Sequence, residues 1–271
     1  MNQPTISSAT SVSIALSDIA DGFSRRRLWS TFAWEDIKST YKRSVFGALW
    51  VSLSFGVFVL VKLLIFMPLV GGDDLRYFTM YLVLGFFVWQ FLSQVIISAP
   101  TIFCAAENWI KNDPIPLPLF AFQATTRALI NMAFCLVTVI AFWIYFRLPL
   151  TWNSLLAFPA LFLFALNAVW VNLLLGIVCT KSRDLTHLVH TIMRFAFFLT
   201  PIFWTPEQIG SAMQILWWNP FAHFIWIFRS PLLDNDPALV SWIFVGCVTV
   251  VGWVSAIVMY ALFRKRLVFW L

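Results

Sequence analysis

The sequence predicts an all-α membrane protein. Six transmembrane helices are joined by an N-terminal interfacial helix, a short cytoplasmic helix and a re-entrant helical hairpin before the last span. Two observations carry that expectation. Of 271 residues, 61% are hydrophobic and only 11% charged, with a mean hydropathy of +0.85, whereas a soluble domain carries about 25% charged residues. Apolar segments also recur at about 20 residues, the length a helix rising about 1.5 Å per residue needs to cross about 30 Å of hydrocarbon.

Residues 1–24 are rich in Ser and Thr and lack a continuous apolar run, so they read as a disordered cytoplasmic tail and not as a cleaved signal peptide. Residues 25–271 then form a single membrane domain. At its start, "LWSTFAWEDIKSTYKR" spaces Trp29, Ala33, Ile37 and Tyr41 four apart, with Glu35, Asp36, Lys38 and Lys42 largely on other faces. This is an interfacial amphipathic helix over 28–43, either a plain anchor or a guard of lateral access from the inner leaflet.

The spans lie near Val45 to Leu69, Tyr77 to Pro100, Leu119 to Phe146, Leu155 to Val178, Leu185 to Trp204 and Ala238 to Phe263; the second, fourth and sixth contain no Asp, Glu, Lys or Arg. Between spans two and three, Glu107 to Asp113 can form a short helix, and Pro114, Pro116 and Pro118 forbid its continuation. A stiff cytoplasmic corner results. Its Trp109 and Ile110, set among charged residues, favour a docking site over an idle loop. After span five, the apolar runs Met213 to Trp218 and Phe221 to Phe228 are each too short to cross and are broken by Asn219 and Pro220. They read as a re-entrant hairpin over 205–237 at the outer face.

Charge sets the orientation, because cytoplasmic loops collect Lys and Arg. Of the 18 basic residues, 12 fall on one side: Arg25, Arg26, Arg27, Lys38, Lys42, Arg43, Lys111, Lys181, Arg183, Arg264, Lys265 and Arg266. Arg76, Arg147 and Arg229 fall on the other, and Lys62, Arg127 and Arg194 sit within or at the edge of spans. Both termini are therefore expected in the cytoplasm. The formal charge of +6 needs no nucleic acid to explain it.

Polar stripes mark two spans: Gln90, Gln94 and Ser98 on the second, and Gln123, Arg127 and Asn131 on the third, each at four-residue spacing along one helix face. They serve either as helix-to-helix hydrogen bonds or as a pathway; Arg127, costly at that depth, points to a use. Asp184, His187 and His190 superficially offer metal ligands but sit beside Lys181 and Arg183 at a membrane boundary, so no metal is expected. Cys104, Cys135, Cys179 and Cys247 are scattered packing residues. None of the glycines immediately precedes a lysine, so the GxxxxGK[ST] phosphate cradle is missing and no cofactor is expected on this chain. Any ATP-driven motor acting on this chain would be another polypeptide.

The stretches "YKRSVFGALW", "ENWIKNDPIPLP", "KSRDL", "TPIFW" and "WWNPF", in this order and spacing, resemble the membrane subunit of ABC transporters that export O-antigen or related capsular polysaccharides. The similarity runs from about Leu28 to the C-terminus. It implies a multi-pass permease of the bacterial inner membrane, without an activity of its own. It further implies a homodimer joined by two copies of a separate ATPase, which holds ATP and magnesium, and a lipid-linked polysaccharide passing between the halves.

By the same resemblance, Glu107, Asn108, Trp109, Ile110, Lys111, Asn112 and Asp113 match the coupling helix seated in the ATPase. Arg183 and Asp184 match the second motor-facing loop. Pro201, Trp217, Trp218, Asn219 and Pro220 match the outer hairpin. Arg43 and Arg127 are candidate contacts for the lipid diphosphate, and Gln90, Gln94, Gln123 and Asn131 for the pathway. An exporter of capsule, teichoic acid, lipid or drug is the alternative. A more remote one is an intramembrane enzyme acting on lipid-linked glycans, with His187 and Asp184 as acid and base.

Overall fold

The computed structural model describes residues 8–66, 75–204, 216–233 and 239–271. Among the described residues every regular element is helical. In chain order these are α1 (Ser8–Ser24), α2 (Arg26–Thr40), α3 (Leu49–Phe66), α4 (Leu75–Ser98), α5 (Ile102–Ala105), α6 (Glu107–Asn112), α7 (Pro118–Phe146), α8 (Ala157–Lys181), α9 (Asp184–Leu199), α10 (Pro220–Leu232) and α11 (Leu239–Trp270).

Helix α4 is the centre of the bundle. It buries 15 of its 24 residues, and α3, α7, α8, α9 and α10 all pack on it. Its continuous run of apolar side chains suits a helix covered on most sides. A 3-10 turn at Ala99–Thr101, where Pro100 interrupts the hydrogen-bond ladder, joins it to α5.

By contrast, α11 buries only Ser241, Val245, Thr249, Gly252, Ala256, Tyr260 and Leu267 along its 32 residues. These fall three, four or seven apart, so they form one stripe. Small residues in that stripe let α8 approach closely, as helices do in lipid. Asn167 donates to Thr249 Oγ1 at 2.8 Å and accepts from Trp170 Nε1 at 2.8 Å, fixing the pair.

Among the described residues, four helical stretches are long and apolar enough to cross a membrane: Leu75–Ala105, Pro118–Phe146, Trp152–Lys181 and Leu239–Trp270. They match the second, third, fourth and sixth expected spans. The first is represented by the shorter apolar helix Leu49–Ile65, which begins four residues later than expected because the chain turns through Arg43 at φ 72° and Gly47 at φ 53°. The segment expected as the fifth span holds α9, of 16 residues, which is not among these four and ends where Pro201 cannot continue it.

One expectation is corrected. The segment 1–24, expected as a disordered tail, contains α1. Ala15 is fully buried and Ile19 packs on the core beside it, so contacts with α7 and α11 outweigh the Ser-rich composition. Arg229, counted among the charges of the outer side, lies inside α10 and is 2% exposed. The hairpin residues 205–215 and 234–237, the tail residues 1–7 and the end of span one at 67–69 lie outside the described residues.

Candidate functional site

The corner between α5 and α7 is built locally. Glu107 pairs with Lys111 at 2.6 Å one turn apart, Asn112 Nδ2 donates to the Asn108 carbonyl at 2.9 Å, and Asp113 turns extended at φ −123° ahead of Pro114. None of the residues of α6 is buried. Trp109 is 49% exposed, with one edge resting on Phe32 of α2, ring centroids 5.1 Å apart. A six-residue helix displaying an indole, an amide and both charges is a docking shape, and Ile110 packs inward to hold it.

Helix α2 begins beside this corner and continues along α7. Trp29 meets Phe122 at 6.2 Å, Gln123 Nε2 donates to Asp36 Oδ2 at 2.8 Å, and Arg127 Nη1 lies 3.9 Å from the same oxygen. The expected interfacial helix is therefore clasped to the third span. Between them opens a concavity of about 350 Å³ lined by Glu35, Asp36, Trp109, Gln123 and Arg127. Its two carboxylates offset Arg127, so the site as built is not strongly cationic.

The polar stripes thus separate. Gln123 and Arg127 serve the α2 clasp, while Gln90, Gln94 and Asn131 converge on a second concavity of about 380 Å³ shared with α3. Arg43 is exposed in a left-handed turn between α2 and α3.

Lys111, Lys181 and Arg264 lie at the same end of the bundle as α1. Lys181 Nζ sits over the rings of Phe263 and Trp270 at 5.1 and 6.0 Å, and Arg264 bonds Asp18 of α1 at 2.6 Å. Asp184 opens α9, where a negative charge suits the helix dipole. Among the described residues it pairs with neither Lys181 nor Arg183, and no hydrogen bond joins it to His187.

At the opposite end Asn219 ties two helices together. Its Oδ1 accepts from the Phe221 and Ala222 amides at 2.9 and 3.4 Å, capping α10 with Pro220 at its first position. Its Nδ2 donates to the Leu199 carbonyl and to Thr200 at 3.0 and 3.2 Å, holding the end of α9. Trp217 and Trp218 are exposed.

Two residues here carry more than their sequence signal. Arg229 donates to the Pro201 carbonyl and to the Tyr81 hydroxyl, both at 2.9 Å, and stacks 3.6 Å from the Tyr81 ring. His223 is fully buried; its Nε2 donates to the Trp217 carbonyl at 3.1 Å, so its Nδ1 accepts from Ser241 at 2.9 Å.

A family model described as ABC-2 type transporter matches residues 27–233, three quarters of the chain. The chain belongs to the ABC-2 type transporter family. It is a membrane permease, a transport subunit, which accords with an all-helical bundle of membrane-length helices. Two relatives from Klebsiella pneumoniae, each named "O-antigen export system permease protein RfbA", are 24% and 23% identical over 238 residues, 85% of this chain and 88% of each relative. Helix α1 precedes the part that matches the ABC-2 model, and α11 follows it.

Proposed function

We propose that this ABC-2 permease exports lipid-linked O-antigen polysaccharide across the bacterial inner membrane, as a homodimer driven by two copies of a separate ATPase that holds ATP and magnesium. The observation that carries this reading is the similarity to the two O-antigen export permeases along 85% of the chain. The exposed, proline-stiffened corner at Trp109 supplies the handle. The fold of this reading has six spans, α3, α4, α7, α8, α9 and α11, with α10 as one limb of a re-entrant outer hairpin. Both termini face the cytoplasm, where the basic cluster of Lys111, Lys181 and Arg264 satisfies the positive-inside preference.

Closure of the ATPase pair pushes α6, with Arg183 and Asp184 as a second contact. Through the Phe32–Trp109 contact the push reaches α2, and through Asp36 it reaches α7. Arg127 then exchanges the Asp36 carboxylate for a diphosphate oxygen, with Arg43 as the exposed first contact, since a phosphate offers a guanidinium the same paired-acceptor geometry. Pro201, Trp217, Trp218, Asn219 and Pro220 frame the exit.

The test is reconstitution with the co-expressed ATPase. Hydrolysis is expected to rise on adding lipid-linked glycan, and a Trp109→Cys variant is expected to crosslink to the ATPase from the cytoplasmic side. A corner reached only by external reagents, or a chain that never captures an ATPase, would defeat the reading.

A further inference from the structure

Two spans carry an uncharged amide at their midpoints. Gln90 is the central residue of the 31-residue stretch Leu75–Ala105. Asn131 stands thirteen residues into the 29-residue α7, about 20 Å from either end. Because the hydrocarbon layer is about 30 Å thick, both positions lie inside it whichever end of each helix protrudes. Gln94 follows one turn after Gln90.

All three amides open onto the same 380 Å³ cleft. Among the described residues none of the three has a hydrogen-bond partner, and Asn131 Oδ1 is buried without one. Unpartnered amides in hydrocarbon are costly, so they are retained where a ligand or water completes them. The remaining wall includes Ser54 and the aromatic residues Tyr41, Trp50, Phe55 and Phe58, and no lining residue is Asp, Glu, Lys, Arg or His.

We infer that this cleft between α3, α4 and α7 is a binding site for a neutral, hydroxyl-rich sugar ring, with Gln90, Gln94 and Asn131 as its hydrogen-bonding residues. The inference rests on the export reading above and names the part of the substrate that this site takes. Neutral amides donate and accept at once, matching hydroxyl groups, whereas no cation lines the cleft itself: Lys62 is outside the lining, its Nζ 5.5 Å from the Phe58 ring centroid. Aromatic walls suit the apolar face of a sugar ring. Lipid head groups stay at the bilayer surface, so a molecule in transit is what brings hydroxyls to this depth.

The test has two arms. In the first, a chain carrying Ser54→Cys, with Cys104, Cys135, Cys179 and Cys247 replaced by Ala, is reconstituted with its ATPase in phosphatidylcholine vesicles and reacted with N-ethylmaleimide. Maltotriose is expected to slow labelling about threefold at twice its dissociation constant. Trigalacturonic acid is expected to leave the rate unchanged, as is either sugar with Val137→Cys, a position 53% exposed on α7. No slowing by maltotriose, equal slowing by the acid, or a disulfide between two copies at position 54 would overturn the site.

In the second arm, a strain lacking this chain is complemented with wild type or with Gln90→Met/Asn131→Leu. The variant is expected to bind the ATPase and keep its unfolding temperature, since apolar groups replace unpartnered amides. Surface polysaccharide is expected to fall about tenfold, as for two ordinary hydrogen bonds. Undiminished export by the variant overturns the cleft alone, and a lowered unfolding temperature assigns the amides to structure. If wild type itself restores no surface polysaccharide, the export reading fails instead.

Discussion

Arg229 is a buried guanidinium whose surroundings come from three separate parts of the chain. Among the described residues it donates to Pro201 and Tyr81, and its plane covers the Tyr81 ring. A lysine at this position keeps the charge but not the fork or the flat stacking face. Arg229→Lys is therefore expected to destabilise by about 2–3 kcal/mol, measured as a lowered unfolding midpoint in detergent. Tyr81→Phe retains the ring and loses the hydroxyl, and should cost about 1–2 kcal/mol; an equal or larger loss than Arg229→Lys would show that stacking is minor. None of this was legible in "FIWIFRSPL", because the decisive partner lies 148 residues away and the charge rule assigns the arginine only to a side of the membrane. The corner at Trp109 was legible because its determinants, one ion pair and three prolines, are all within a dozen residues.

At the scale of elements, two interfaces repay testing. The α2–α7 clasp rests on Asp36, which holds Gln123 and Arg127 together. Asp36→Ala releases both, so trypsin cleavage after Lys38 and Lys42 should accelerate; Arg127→Ala should do so less, because Gln123 still holds. Equal rates in wild type and Asp36→Ala would remove the clasp. The α8–α11 interface depends on Gly252, where an added Cβ would run into the Trp170 ring, whereas Gly246 on the same helix has nothing within 4 Å. Gly252→Ala is expected to cost about 1–3 kcal/mol through overpacking, and Gly246→Ala to be neutral or slightly stabilising, both read by thermal unfolding. The long spans were predictable from length and hydropathy alone, since each contains enough apolar residues to declare itself. Helix α1 was not, because Ala15 and Ile19 are too few to signal a helix until α7 and α11 supply the surface they bury against.

Across the whole molecule, the two ends of the chain meet beside the corner that faces the motor in our reading. Asp18 of α1 accepts from Tyr260 and Arg264 of α11 at 3.1 and 2.6 Å, and the cleft that they border is also lined by Pro114, Ile115, Pro116 and Leu117. Gly22 brings the α1 backbone against the start of α7, where a Cβ would come 3.2 Å from the Leu119 amide nitrogen. Both partners of this brace lie outside the stretch 27–233 that matches the ABC-2 model. A brace placed there limits how far the corner can yield without moving the spans. Asp18→Asn keeps an acceptor for Tyr260 but removes the charge that Arg264 engages, and is expected to leave ATPase binding unchanged while lowering the unfolding midpoint. Hydrogen exchange at residues 107–113 should rise, and the ratio of glycan exported to ATP hydrolysed should fall, because part of each stroke is lost in a loosened corner. An unchanged ratio with faster exchange would reduce the brace to a local tether.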